Sequence, residues 1–400
     1  MKIRISKSRI AFVAFFCLLL SAGQLKAQEQ SAAFSADTSK FLTELNEQFQ
    51  KVGDADAAEA KLILSTFTYQ WTSSLLAPAQ KKQALAICRA LSERKLEVSP
   101  YYLLYFKVLT TLVKQSSLPA TYDLLHKSVN YCLQSKTPSR TLLRYLTQAD
   151  LLLSNNAFMK SNSEAWFVRK GTYKFAFDSV PYFAFASGNL ACVVRNDSAC
   201  IYETKGNFYP LTQTWKGKGG NVYWDRTGLG REVVYAKLAN YSIDTRSLTY
   251  SADSVMFYHG GYFKKFLQGR LEDKAMVDVN PKNATFPKFY MYRGSQVYIN
   301  LFKNIEFFGG FSLQGARVLG TPASDGYARI EIKHNSKPFM SLKSTEFAIM
   351  PDKFVSANAS VLIFIENDSI FHPAIRVQYN LANDELMMSR GEEGLGQSPF

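Results

Sequence analysis

"VSANASVLIFIENDSIFHPAIRVQYN", residues 355–380, sets the character of more than half of the chain. Val355, Ala357, Ala359, Val361, Ile363 and Ile365 alternate with Ser356, Asn358, Ser360, Leu362, Phe364 and Glu366. A period of two is that of a strand with one packed face. "NDS" at 367–369 supplies turn chemistry, and Ile375, Val377 and Tyr379 resume the alternation, so the stretch predicts a β-hairpin. The same "NDS" follows "CVVR" at Asn196, and Asp-Ser precedes an apolar residue at Asp178, Asp197, Asp253 and Asp368. Asx and Ser turns arise from local side-chain hydrogen bonds, so each of these marks an expected strand start. Aromatic and β-branched residues dominate from "SEAWFVRKGTYKFAF" at Ser163 onward. The pattern favours a serial stack of hairpins over one Greek-key domain.

Working back along the chain, "KNIEFFGGFSLQGARVLG", residues 303–320, carries two glycines inside such an alternation. Val297, Ile299, Leu301, Ile305, Phe307, Phe311 and Leu313 keep one phase across them, which places Gly309 in an inward slot where a strand bends or another backbone comes close. "GFSLQG" does not match the G-x-S-x-G elbow of hydrolases, and the phase points Ser312 outward.

Before residue 160 the period is helical. Ala60, Ile63, Leu64, Phe67 and Trp71 share one face, Tyr102, Phe106, Leu109 and Val113 another, and Leu142, Leu146, Ala149 and Leu153 a third. Further segments run near 38–51, 79–94 and 120–134, with Pro78, Pro100, Pro119 and Pro138 between or at the starts of segments. Six helices in antiparallel hairpins are expected. Alternate helices recur at about 40 residues, the spacing of helical repeat arrays, without a tetratricopeptide signature.

The N-terminus "MKIRISKSRIAFVAFFCLLLSAGQLKAQEQ" sets Lys2, Arg4, Lys7 and Arg9 before a short apolar run ending at Leu20, the build of a secretory signal peptide cleaved after Ala27. Cys17 lies within the apolar run, which argues against lipidation. No later stretch approaches the about 18 consecutive apolar residues that a spanning helix needs. Losing Lys2, Arg4, Lys7, Arg9 and Lys26, with no acid before Ala27, lowers the net charge from +14 to +9. This surplus suits anionic glycans or lipid head groups. Its lysines and arginines form no run of the nucleic-acid-arm kind.

Little else carries chemistry. Of Cys88, Cys132, Cys192 and Cys200, none forms a CxxC pair. Cys192 and Cys200 flank the "CVVRNDSAC" turn and are the candidate disulfide, while Cys88 and Cys132 sit on apolar helix faces. His126, His259, His334 and His372 share no metal-binding spacing. "TWKGKGGNVYW" lacks the ending of a phosphate loop and reads as a hairpin connection. Trp215 and Trp224 flank it and form a candidate aromatic binding platform, against the alternative of a cross-strand pair. Glu272 and Asp273 are adjacent acids on a strand, so they face opposite ways and read as local charge neutralisation. No catalytic, cofactor-binding or metal-ligating residue is assigned.

The blocks "GNFYPLTQTWKGKGGNVYWDRTGLG", "LANYSIDTRSLTYSADSVMFYHGGYF" and "FLQGRLEDKA", with "SNSEAWFVRK" before and "NASVLIFIENDSIFHPAIRVQYN" after, resemble the front portion of large uncharacterised exported proteins of Bacteroidetes-type bacteria. The resemblance covers most of the mature chain and carries no catalytic motif. It implies an envelope location and a helical module leading into a β-rich array. Members of that family continue past a segment like "GEEGLGQSPF", so on this resemblance Phe400 falls inside a longer protein.

The expected organisation is α+β: a signal peptide at 1–27, an α-helical module at 28–160, and a long antiparallel, solenoid-like β array at 161–400. The expected function is that of an exported envelope protein, periplasmic or associated with the outer membrane or cell surface. It serves as a non-catalytic scaffold or binding surface for envelope proteins, another macromolecule, an anionic glycan or lipid head groups, with no cofactor and no nucleic acid. The alternatives are a polysaccharide-acting enzyme on a β-stack and, ranked last, an outer-membrane β-barrel. Against the barrel, Lys237 and Lys303 interrupt the apolar phase of their strands, and regular ten-residue strands are lacking.

Overall fold

A computed structural model describes residues 34–134, 136–276, 280 and 284–390. The stretch expected to be a signal peptide, 1–27, lies outside the described residues. Among the described residues six α-helices precede twenty antiparallel strands, an α+β arrangement. None of the described helices is long and apolar enough to cross a membrane.

The chain divides into two compact units, and the division is not a single cut. The first holds the helices together with residues 174–182; the second holds 156–173 and everything from Phe183 onward. The expected boundary at 160 therefore moves to Asn155, where the last helix ends.

The helices are α1 (Phe41–Phe49), α2 (Asp54–Thr72), α3 (Pro78–Glu93), α4 (Leu103–Lys114), α5 (Pro119–Cys132) and α6 (Ser139–Asn155). Proline opens α3 and α5, where its missing N–H is not needed. Alternate helices are neighbours. Gln70 Nε2 on α2 donates to the Thr110 carbonyl on α4 at 3.0 Å, and Gln83 Nε2 on α3 donates to Asp123 Oδ1 on α5 at 2.8 Å. The core is aromatic: Phe67 and Phe106 meet edge to face at 4.6 Å, with Phe41 and Trp71 beside them.

β1 (Ala157–Lys160), β2 (Glu164–Phe177) and β3 (Pro181–Val194), which apart from 174–182 belong to the second unit, form a meander that leads into β4 (Asp197–Tyr209). Next come β5 (Thr214–Lys218), β6 (Asn221–Tyr223), β7 (Val234–Lys237), β8 (Asn240–Asp244), β9 (Thr249–His259), β10 (Leu267–Lys274) and β11 (Lys288–Met291). After β12 (Val297–Phe302) follow β13 (Ile305–Gln314), β14 (Arg317–Thr321), β15 (Ala328–His334), β16 (Lys337–Ser344), β17 (Phe347–Ile349), β18 (Lys353–Ile365), β19 (Asp368–Asn380) and β20 (Glu385–Ser389).

Long strands change partners partway. The first half of β13 lies between β12 and β15, and its second half between β11 and β14. The change falls at Gly309-Gly310. A Cβ on Gly309 would lie 2.6 Å from the Thr321 carbonyl oxygen and 2.7 Å from the Phe307 ring, so only glycine lets the strands cross there. Gly309 is inward, as the phase predicts; Ser312 is not outward but only 4 % exposed, because the sheet is covered on both faces at this point. β4 behaves in the same way, pairing with β6 at Tyr202 and with β5 from Lys205, and between these Glu203 takes a φ of 53°. "KGKGGNV" is accordingly not a hairpin. β5 and β6 pair with different stretches of β4, and Gly219 and Gly220, at φ 71° and 121°, carry the chain from one sheet to the other.

Strands β4–β11 and β13–β20 repeat one pairing scheme. Gly206, Gly217 and Tyr241 stand in a cross-strand row, as do Phe311, Gly320 and Phe347. In β9, Tyr250 and Ala252 face inward, Asp253-Ser254 bulge out, and Val255 and Phe257 face inward again. In β18 the same sequence of states is Phe354 and Ser356, Ala357-Asn358, then Ala359 and Val361. Ala252 and Val255 oppose Leu271 and Gly269; Ser356 and Ala359 oppose Val377 and Ile375. The bulge corrects two expectations. Residues 355–365 do not keep one phase, since the extra residue shifts it at Ala357. Asp253 marks this bulge, while Asp197 and Asp368 do open strands.

Candidate anion-binding face

The neighbouring strands β3, β4, β5 and β8 present alternate residues to the two faces of a sheet. Phe208, Trp215, Tyr241 and Ile243 fill the inner face. Rings cover glycines there: the Trp215 ring lies over Gly206 and the Tyr241 ring over Gly217. The Tyr241 hydroxyl shares a hydrogen bond with Thr204 Oγ1 at 2.7 Å and accepts one from Trp215 Nε1 at 3.2 Å. This packing immobilises the backbone that carries the outer face.

On that outer face Lys205 stands directly opposite Lys218, and Lys218 opposite Asn240. The next row is Ala184, Asn207, Lys216 and Ser242. The three lysines are exposed, and none makes an ion pair with a carboxylate among the described residues. Lys216 Nζ lies 5.0 Å from the Tyr209 ring centroid. Like charges directly opposed across a ladder destabilise a sheet. Here the pair is flanked by amides, a hydroxyl and an aromatic ring, which are the groups that hydrogen-bond and stack on a polyhydroxylated anion. The alternation of Lys216 and Lys218 with Trp215 and Gly217 is visible in "TWKGK"; that Lys205 joins them depends on a register that no local pattern shows.

The sequence-derived sites fall elsewhere. Trp215 and Trp224 do not form a surface platform. They are 1 % and 0 % exposed, on inward positions, with Trp224 Nε1 donating to the Pro287 carbonyl at 3.1 Å and its ring against Phe257. Cys192 and Cys200 are free thiols, as are Cys88 and Cys132. The register explains why: Cys192 opposes Ala199 and Cys200 opposes Ala191, so the two sulfurs belong to opposite faces of the hairpin. Burial pushes the Cys192 thiol up to about 12.

Glu272 and Asp273 do face opposite ways, but the neutralising partner of Asp273 is remote in sequence. Arg226 Nη2 pairs with Asp273, while its Nη1 donates to Asp197 Oδ2 at 3.0 Å and to the Lys274 carbonyl at 2.6 Å. Tyr250 and the Lys274 N–H also donate to Asp273, and the Met276 N–H donates to Asp197. Two carboxylates thus share one guanidinium in the interior, and burial raises the Asp273 carboxyl to about 6 against the pull of Arg226. Every group of this cluster is consumed by another, which makes it a structural junction.

The histidines stay apart. His126 is buried in the helical unit with Nε2 2.8 Å from the Tyr105 hydroxyl, and desolvation lowers it to about 4. It borders a concavity of about 730 Å³ lined also by Asp123, Lys127, Tyr131 and Phe177. His259 is buried near Phe257 and Tyr262 and is likewise lowered to about 4. His334 and His372 are exposed. No group of three metal-ligating side chains gathers among the described residues. Comparison of the chain with protein-family models, with curated proteins and with solved structures finds no match.

Proposed function

We propose that the chain is an exported envelope protein whose repeated, solenoid-like β array is a non-catalytic scaffold, and that its β4–β5–β8 face binds an anionic glycan. The directly opposed Lys205 and Lys218 carry this reading. A sheet that keeps like charges in register, on a backbone stiffened by glycine–ring packing, forgoes stability that an acidic ligand restores. The non-catalytic part is supported by the buried carboxylates, since Asp197 and Asp273 are both engaged by Arg226. Signal-peptide chemistry at the N-terminus supports export.

The test is retention of the full chain on immobilised heparin and polygalacturonate, with neutral dextran as control. Salt-dependent retention on the acidic polymers is expected. Lys205→Gln/Lys216→Gln/Lys218→Gln should abolish it while the melting temperature holds or rises slightly, because a like-charge pair is removed. Equal retention of parent and triple variant would refute the assignment.

A further inference from the structure

The two pairing modules end differently, and the difference identifies a docking edge. In the first module β11 lies between β10 and β13: Phe289 opposes Leu271 on one side and Leu313 on the other, and it is 0 % exposed. Phe257 stacks on Phe289 at 4.2 Å and lies 5.9 Å from Phe311, and Phe263, just beyond β9, meets Phe311 edge to face at 4.9 Å. The start of the second module thus seals the end of the first.

In the second module β20 takes the place of β11. Met388 opposes Val377, the counterpart of Leu271, but β20 has no strand on its other side among the described residues, and Met388 is 43 % exposed. The β18–β19 tip, which matches the region around Phe263, leaves Phe364, Ile365, Ile370 and Phe371 at 40–62 % exposure. An unpaired edge beside an apolar tip is a template for strand addition.

We propose that the β20 edge receives an antiparallel strand of a further module of this same build, seated as β13 is seated on β11, with an inward aromatic ring against the β18–β19 tip. Continuity with the β11–β13 junction carries the assignment, because the first module shows what occupies the equivalent edge. The proposal rests on the scaffold part of the proposed function and is independent of the lysine face.

The probe is a synthetic peptide with the sequence of residues 305–321, the β13–β14 hairpin, added to the full chain. Saturable binding is expected, with slowed amide exchange in β20. Met388→Lys in the chain, or Phe311→Asp in the peptide, should weaken binding at least about tenfold by placing a charge in the apolar contact. No saturable binding, or equal binding by the altered partners, would overturn the proposal. A dimer that Met388→Lys dissolves would overturn it in favour of a second copy of the chain. Phospholipid-vesicle binding lost on Phe371→Asp would do so in favour of a lipid surface. Heparin retention measured on the same samples separates failure here from failure of the glycan reading.

Discussion

At the scale of single residues, the Arg226 junction shows how a buried charge is tolerated and what it contributes. Asp273 is 1 % and Asp197 4 % exposed at the side chain, so each ionised carboxylate would be costly without the guanidinium between them. The second module places Tyr379, stacked on Phe354 at 5.5 Å, where the first has Asp273. An uncharged solution therefore exists for the same pairing scheme, with the Tyr379 hydroxyl donating to Asp384 Oδ1 at 2.8 Å, and the Arg226 cluster is specific to the first module. Arg226→Met keeps the apolar stem but leaves two carboxylates facing each other. It should cost about 3–5 kcal/mol at pH 7, the usual penalty for stranding buried charge. Because the Asp273 carboxyl, already raised to about 6 by burial, can escape by binding a proton, the loss should shrink as pH falls toward 5. Urea unfolding at pH 7 and pH 5 measures both numbers, and a variant as stable as the parent at pH 7 would contradict the role given to Arg226.

At the scale of elements, Gly309 decides whether β13 can serve two sheets. A branched side chain there would press on the Thr321 carbonyl, the Phe307 ring and the Ala328 Cβ, which lies 3.0 Å from a Cβ built on Gly309. The backbone at Gly309 is not left-handed, so the penalty is crowding rather than torsional strain. Gly309→Val should cost about 1–3 kcal/mol through overpacking, and Ser344→Ala at the buried Ser344–Ser356 hydroxyl pair about 1–2 kcal/mol; melting curves rank the two. The same elements mark what a sequence discloses. Helix positions, the change of period near residue 160 and the inward phase of β13 were legible because each depends on neighbours within a few residues. The bulges at Asp253 and Ala357 were not, because alternating serine, alanine and valine fit either phase and only the partner strand selects one. The lysine face was half legible: "KGK" announces two exposed cations, whereas Lys205 joins them through pairing. The proposed tryptophan platform and disulfide failed for the same reason, since a residue's face is set by register and not by proximity to a turn.

At the scale of the whole molecule, acid should separate the two units. Each holds one buried neutral histidine, His126 in the helical unit and His259 in the β unit, both lowered to about 4 chiefly by desolvation. Unfolded histidine titrates near 6.5, so below that pH the unfolded chain takes up a proton that the folded chain refuses, and stability falls as pH drops from about 6.5 to about 4. A shift of this size corresponds to a loss on the order of 3 kcal/mol per histidine once pH is below 4. The β unit has an opposing group. Asp273, raised to about 6 by burial, binds its proton more tightly when folded, so its contribution is full at low pH and is lost as pH rises through about 6. The two effects offset one another in the β unit between pH 6 and 4, whereas the described core of the helical unit holds no buried carboxyl to oppose His126. In a Trp71→Phe background, which removes the one tryptophan of the helical core, helical circular dichroism should accordingly fade at higher pH than the near-ultraviolet signal of Trp166, Trp215 and Trp224, which report on the β unit. His126→Gln, which leaves an acceptor for the Tyr105 hydroxyl and removes the titration, should move the helical transition toward lower pH while the tryptophan signal keeps its midpoint. Coincident transitions in the parent, or a helical midpoint unmoved by the substitution, would show that buried histidine does not set the acid limit of this unit.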